Sequence, residues 1–155
     1  MELENKIVIV AGGASGIGAA IAQLAAAEGA SVVVADRNLV EARRLASTLP
    51  NGDAFALDVV EQSSIDALVS FVETRYGAPD VLFNSAAIWE MADILHATRA
   101  SFSALFAVNV TGLFFLQQAV AKSMIAAGRR GVSLTCSRYP YPSRGWRSTA
   151  SIPAR

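Results

Sequence analysis

The sequence predicts an α/β fold, in which a doubly wound parallel sheet lies between two layers of helices. Strand-like and helix-like segments alternate along residues 6–83, a pattern that is typical of βαβ units. Near-continuous apolar runs at residues 7–10 and 31–34 predict strands that are covered on both faces, as in a parallel sheet. Together these observations favour a three-layer αβα arrangement.

The elements follow one another with short connections. A strand, helix, strand, helix, strand, helix and strand are predicted at residues 6–11, 16–28, 31–35, 39–48, 53–57, 61–76 and 80–83. Gly29, Gly52 and Gly77 each follow a predicted helix, where a left-handed backbone can end it. A long helix over 101–127 and a fifth strand over 132–136 complete the pattern. We therefore expect an incomplete sheet of about five strands.

The predicted helix over residues 101–127 is apolar around most of its circumference. A helix of this kind is usually buried, either against its own sheet or against another subunit. We therefore expect the helix to serve as a possible interface in a homo-oligomer.

Composition excludes several classes of protein. With 155 residues, 53% hydrophobic and 17% charged, the chain has enough apolar surface for one core and is not a disordered chain. Its uninterrupted apolar runs are far below the roughly 18 residues of a membrane span, and no secretory leader is recognisable. A single cysteine, Cys136, excludes an internal disulfide and a thiolate metal cluster. We expect a cytoplasmic protein without a metal site.

The formal net charge of zero hides an asymmetry. All 13 acidic residues lie within residues 2–93, whereas residues 94–155 carry eight basic residues and no acid. After Cys136 the chain becomes rich in arginine, proline and serine, with neither helical nor strand period. We therefore divide the chain into a folded α/β domain at 1–136 and an irregular tail at 137–155.

The tail has two interpretations. One is out-of-frame translation beyond about Gly131, because the composition changes abruptly there. The other is a regulatory module whose basic tail contacts an acidic partner. A nucleic acid is the weaker choice of partner, since the tail has no lysine cluster and no recognisable reading element.

The glycine-rich loop at residues 11–18 carries the strongest functional signal. It lies between the first predicted strand and the first predicted helix, as in Rossmann-type nucleotide-binding folds. Glycines there allow a tight turn and a close approach of the backbone to a pyrophosphate, while the helix N-terminus favours negative charge. The cofactor-binding residues predicted in this loop are Gly12, Ser15, Gly16, Ile17 and Gly18.

Asp36 lies at the end of the second predicted strand, 24 residues after Gly12. A carboxylate at this point can accept hydrogen bonds from the adenosine ribose and would repel a 2′-phosphate, which favours NAD over NADP. Arg37 works against this interpretation, because a guanidinium can pair with such a phosphate. Its alternative role is that of an ordinary solvent-exposed side chain.

Four motifs together resemble the short-chain dehydrogenase/reductases: the loop at 12–18, Asp58-Val59, the Asn84-Ser-Ala-Ala stretch and the Asn109-Val-Thr-Gly stretch. Trp89 and the residues around the end of the long helix are similar to those of bacterial polyol dehydrogenases of the sorbitol type. The resemblance implies hydride transfer between NAD and an alcohol, polyol or ketone.

The resemblance also implies roles for individual residues. Asp58 and Val59 would contact the adenine ring, and Asn84 and Ala86 would support the central strand and border the nicotinamide ribose. Asn109 would hold a water molecule of the proton relay. From the residues alone, Asn109 could equally brace a bend in the long helix.

The catalytic part of the resemblance is missing. The family uses a serine and a tyrosine that is followed four residues later by a lysine, but the only lysines are Lys6 and Lys122. A phenol needs a nearby cation to act as a base near neutral pH. Ser137 is the candidate for the serine. We therefore expect a truncated, catalytically impaired dehydrogenase, with an enzyme built around His96 as the alternative.

Overall fold

The computed structural model describes residues 2–89 and 95–136, which form an α/β sandwich. Within these ranges the chain alternates strands and helices, as the sequence predicts. The elements in chain order are β1 (Ile7–Ala11), α1 (Gly16–Ala27), β2 (Ser31–Asp36), α2 (Leu39–Ala46), β3 (Gly52–Ala56), α3 (Gln62–Tyr76), β4 (Val81–Asn84), α4 (Arg99–Phe106), a π-helical segment (Ala107–Gly112), α5 (Leu113–Ala126) and β5 (Val132–Thr135).

The five strands form one parallel sheet in the order β3-β2-β1-β4-β5. Val8 of β1 pairs with Val32 of β2 on one side and with Val81 of β4 on the other. The central strand β1 is therefore the first one in the chain, and every residue in it is buried. Within the described residues, the predicted Rossmann-type sheet of about five strands is confirmed.

The sheet separates two apolar layers because successive side chains of a strand point to opposite faces. On one face, Val8 and Val10 pack among residues of α1 and α2. On the other face, Ile7 and Ile9 belong to the cluster that contains residues of α3 and α5. This arrangement confirms the three-layer prediction.

The helix ends match the predicted glycines at two of three positions. Gly29 and Gly77 have φ angles of +88° and +90°, in the region that glycine adopts readily. Gly52 does not end a helix but begins β3, and glycine is required there because a side chain would not fit. A β-carbon there would approach the Ala46 carbonyl oxygen to 2.5 Å. The prediction of a left-handed glycine at this position was wrong.

The long apolar helix is buried on one side only. Leu116 and Val120 of α5 are almost completely buried against the sheet, whereas α4 contains no buried residue. Exposed aromatic rings include those of Phe102, Phe106 and Phe114. The expectation of burial therefore holds for one face of α5 within this chain, while the outer face is open.

The segment Arg99–Ala126 is also long and apolar enough to cross a membrane by length and composition, with a mean hydropathy of 1.6 and 28% of that window buried. It was not predicted as a membrane span because it contains no uninterrupted apolar run of about 18 residues. Within this segment, α5 contributes residues to the core beside the sheet, whereas α4 contributes none.

At the β5 end of the sheet, Val132 and Leu134 are about half exposed. They share a face with Val81 and Phe83 of β4, because the parallel register pairs Val81 with Val132 and Phe83 with Leu134. Within the described ranges β5 is the last strand on this side of the sheet. This edge of the sheet is therefore apolar on one face.

Candidate cofactor site

A cavity of about 490 Å³ opens at the carboxyl ends of the strands. This edge is where open parallel sheets bind ligands, and the volume is within the range of small-molecule sites. The cavity is lined by residues of the glycine-rich loop, of the ends of β2 and β4, and of the π-helical segment: Gly12, Ser15, Gly16, Ile17, Asp36, Arg37, Leu57, Val59, Ser85, Ala86, Ala87, Ile88, Trp89, Val108 and Asn109.

The glycine-rich loop is held by hydrogen bonds from Gly12 and Gly13 to the Ala35 carbonyl oxygen, at 2.8 and 3.3 Å. Gly12 has a φ of +71°, and a β-carbon on it would overlap the backbone of Ala86. Gly18 does not line the cavity but packs from behind on the Gly12 carbonyl group. Gly12 and Gly18 of the motif therefore have different functions in the loop.

Gly16 faces open space, since a β-carbon on it would meet no atom within 4 Å. Next to it, the side chain of Ser15 makes no capping hydrogen bond to the first turn of α1. Free amide groups at a helix N-terminus attract anions, and the positive end of the helix dipole strengthens this attraction. The loop thus fits a diphosphate group, both in space and in charge.

Asp36 connects β2 to this loop. Its Oδ2 accepts a hydrogen bond from the Ala14 amide at 3.0 Å, and its Oδ1 accepts one from the Asn38 amide at 2.9 Å. Each carboxylate oxygen accepts about two hydrogen bonds, so each retains capacity for a further donor such as a ribose hydroxyl. Asp36 therefore anchors the loop and presents a negative charge to the cavity.

Asp58 lies beside the cavity between two residues that line it, Leu57 and Val59. Its Oδ1 accepts a hydrogen bond from the Val60 amide at 3.0 Å, while Oδ2 lies 3.8 Å from Nε of Arg37. The acid predicted to contact adenine thus stands at the mouth of the cavity, paired with the guanidinium whose role the sequence left open.

Asn84 is only 1% exposed, at the end of β4. Among the residues that the structure describes, neither its Oδ1 nor its Nδ2 has a hydrogen-bond partner. Ala86, two residues further on, lines the cavity and lies against Gly12. The predicted pair is therefore split, with Ala86 at the cavity surface and Asn84 beneath it.

Asn109 lines the cavity from the π-helical segment. Its Oδ1 accepts a hydrogen bond from the Ile88 amide and its Nδ2 donates one to the Ile88 carbonyl oxygen, both at 2.9 Å. The segment approaches β3 and its following loop closely at Gly112, where a β-carbon would come within 2.6 Å of the Val59 carbonyl oxygen. Asn109 thus braces the loop after β4, while its predicted water-holding role stays a prediction.

Replacing Asn109 by leucine tests this bracing role. Leucine keeps the size but removes both hydrogen bonds and leaves the backbone groups of Ile88 without them. We expect the free energy of unfolding to fall by about 2 kcal/mol in urea titrations. Gln118→Leu, an exposed amide on α5, is the matched control and should change it by less than about 0.5 kcal/mol. Equal effects of both substitutions would contradict the role.

The structure places most of the predicted cofactor residues around one cavity, but not all predicted site residues can be located. Ser137 and the tail at 137–155 lie outside the described residues. Three apolar lining residues, Leu57, Ile88 and Val108, did not stand out in the sequence. Their only signal was position, since each is adjacent to a motif residue.

A parallel αβα sheet with a glycine-rich loop at its carboxyl edge defines a nucleotide-binding protein of Rossmann type. The sequence model described as "short chain dehydrogenase" matches residues 6–138. The chain therefore belongs to the short-chain dehydrogenase family, as its motifs predict.

Curated relatives include three polyol dehydrogenases. The chain is 46% identical over 132 residues to sorbitol dehydrogenase of Cereibacter sphaeroides, with 84% of this chain and 52% of the relative covered. It is 41% identical to galactitol 2-dehydrogenase of Agrobacterium fabrum, with coverage of 84% and 52%. It is 37% identical to D-threitol dehydrogenase of Mycolicibacterium smegmatis, with coverage of 81% and 50%.

A similar solved structure is described as ribose-5-phosphate isomerase from Brucella melitensis. It has a TM-score of 0.77 and 33% sequence identity, and the match covers 84% of this chain and 50% of that chain. The chain thus spans about half the length of the curated relatives it matches. The resemblance to polyol dehydrogenases holds over this half.

Proposed function

We propose that this chain binds NAD in the cavity at the carboxyl edge of the sheet. The observation that carries the proposal is the joint placement of the glycine-rich loop and Asp36 around one cavity. Gly16 leaves room for a diphosphate, and Asp36 retains acceptor capacity for ribose hydroxyls. When bound, NAD would supply the hydride acceptor of an alcohol oxidation, as in the family.

Charge supports NAD over NADP. The Asp36 carboxylate lines the cavity, and a 2′-phosphate placed on the same ribose would meet a like charge at close range. The hydrogen bonds from the Ala14 and Asn38 amides hold this carboxylate in place beside the glycine-rich loop. Asp36 therefore presents its oxygens at the proposed ribose position, where a 2′-phosphate is disfavoured.

Substrate class and turnover form a second part of the proposal. Two of the relatives are named as dehydrogenases of the polyols sorbitol and galactitol. They support a polyol or the corresponding ketone as the substrate class. The sequence contains no tyrosine followed four residues later by a lysine. We infer that the chain binds the dinucleotide without catalysing hydride transfer.

Calorimetric titration with NAD and NADP tests the binding proposal. We expect saturable NAD binding and at least about tenfold weaker NADP binding, equivalent to about 1.4 kcal/mol. Asp36→Ser should remove most of this difference, whereas Asp66→Ser, at an exposed acid on α3, should leave it unchanged. Failure of NAD to bind would refute the proposal.

A hydride-transfer assay with sorbitol, galactitol and threitol should show no turnover, and measurable turnover would contradict catalytic impairment.

The open face of the long helix supports a further part of the proposal, a homo-oligomer. Phe102, Phe106, Val110 and Phe114 recur every four residues and are each about half exposed. Side chains four apart share one helix face, so they form a continuous apolar stripe. Such stripes usually mark protein interfaces.

Phe106→Asp tests the oligomer. A carboxylate in the middle of the stripe would be desolvated on association, so we expect sedimentation analysis to show monomers for this variant and a larger species for the wild type. Leu24→Asp changes an exposed apolar residue on α1, away from the stripe, and should leave the assembly unaltered. A monomeric wild type would disprove this interface.

A further inference from the structure

The Arg37–Asp58 ion pair lies at the mouth of the cavity, next to the acid that is proposed to contact the adenosine ribose. Nε of Arg37 is 3.8 Å from Oδ2 of Asp58, and the two side chains are 67% and 40% exposed. Arg37 lines the cavity together with Asp36, its neighbour in sequence. The Arg37 guanidinium, which would attract a 2′-phosphate, and the Asp36 carboxylate, which would repel it, thus lie at the same end of the site.

The position of the guanidinium is set from outside the cavity. Asp58 itself is held in place, because its Oδ1 accepts the Val60 amide hydrogen bond and its own amide donates to Oγ of Ser64 at 3.0 Å. The remaining oxygen, Oδ2, faces Arg37. The loop after β3 therefore offers a fixed negative partner to a long and largely exposed side chain.

We propose that Asp58 is a specificity-determining residue that restrains Arg37 from binding a 2′-phosphate. This inference rests on the proposed function. While Arg37 is paired with the Asp58 carboxylate, outside the ribose position, the charge of Asp36 dominates there. Without that carboxylate, the same guanidinium is released beside the ribose and can pair with a phosphate. Arg37 is then a latent phosphate ligand, and the discrimination depends on Asp36 and Asp58 together.

The test uses the adenosine half of the cofactor alone. Dissociation constants of 5′-AMP and 2′,5′-ADP are measured by calorimetry for the wild type, Asp58→Asn, Arg37→Gln and the double variant. The two ligands differ only in the 2′-phosphate, so their ratio cancels any general loss of adenine or ribose contacts. Asparagine retains an oxygen for the Val60 amide and so preserves the local loop. Arg43→Gln, at an exposed residue on α2, controls for net charge.

We expect the wild type to prefer 5′-AMP, and Asp58→Asn to shift the ratio about fivefold toward 2′,5′-ADP, in keeping with the modest strength of exposed ion pairs. Arg37→Gln should abolish this shift in the double variant while changing the wild-type ratio less than about twofold. The control Arg43→Gln should leave the shift intact.

Two results would overturn the inference. A ratio that is unaltered by Asp58→Asn would show that Asp58 does not restrain the site. A shift that persists in the double variant would show that Arg37 is not the group released. In both cases 5′-AMP still binds, so the proposed function stands. Absence of 5′-AMP binding by the wild type would instead refute the proposed function, and this inference with it.

Discussion

Gly18→Ala is expected to destabilise the fold by about 3 kcal/mol or more and to abolish NAD binding. A β-carbon at residue 18 would overlap the carbonyl oxygen of Gly12 and approach the carbonyl carbon of Gly12 to 2.8 Å. Both of these atoms belong to backbone, so neither can rotate away, and α1 would have to move from the loop. Overpacking that displaces backbone has costs of this order. Urea unfolding and calorimetric NAD titration measure the two effects.

Gly16→Ala provides the matched control, because the same methyl group is added to the same loop in open space. Its φ of +54° makes alanine cost about 1 to 2 kcal/mol through backbone strain alone. We expect a smaller loss of stability than for Gly18→Ala, together with weaker NAD binding, because Gly16 lines the cavity. Equal stability losses for the two variants would contradict the packing argument for Gly18.

Asp80→Ala is expected to lower the free energy of unfolding by about 3 kcal/mol. Asp80 is 9% exposed, and its Oδ2 accepts hydrogen bonds from the Ile7 amide at 2.9 Å and from Nη1 of Arg129 at 3.3 Å. Nζ of Lys6 lies 3.7 Å from its other oxygen. Removing the carboxylate leaves a buried amide unsatisfied and two cations without their partner.

Because Lys6 and Arg129 are 49% and 42% exposed, water can solvate both cations after the substitution. This keeps the expected loss at the lower end for a buried ion pair. Asp66→Ala removes an exposed carboxylate on α3 and should cost less than about 0.5 kcal/mol. A loss below about 1 kcal/mol for Asp80→Ala in urea titrations would contradict this expectation, because it would show that water can replace the interactions of the Asp80 carboxylate.

Much of the fold was predictable because local signals agreed with one another. The apolar strands β1 and β2, the glycine-rich loop and the glycines after α1 and α3 each indicated the same α/β order. The prediction for Gly52 was wrong, since the composition of a turn cannot show whether glycine is needed for its backbone angle or for space. Only the packing of α2 against β3 decides between the two.

The candidate site was predictable as a set of motifs but not as a set of contacts. Spacing indicated Asp36 and the family resemblance indicated Asn109. Neither could show that Asp36 accepts a hydrogen bond from the Ala14 amide or that Asn109 is bonded twice to Ile88. The π-helical segment at Ala107–Gly112 also gives no clear signal, because its residues continue the apolar pattern of the surrounding helix. These features depend on residues far apart in the chain.

The central position of β1 has a consequence for how the protein is made. This strand leaves the ribosome before its two pairing partners, β2 at Ser31–Asp36 and β4 at Val81–Asn84. At about 5 to 20 residues per second, β1 waits for several seconds before β4 can pair with it. During that time an apolar segment with both faces open must stay out of wrong pairings. Cells that translate this chain slowly, or are short of chaperones, should therefore accumulate it as aggregates.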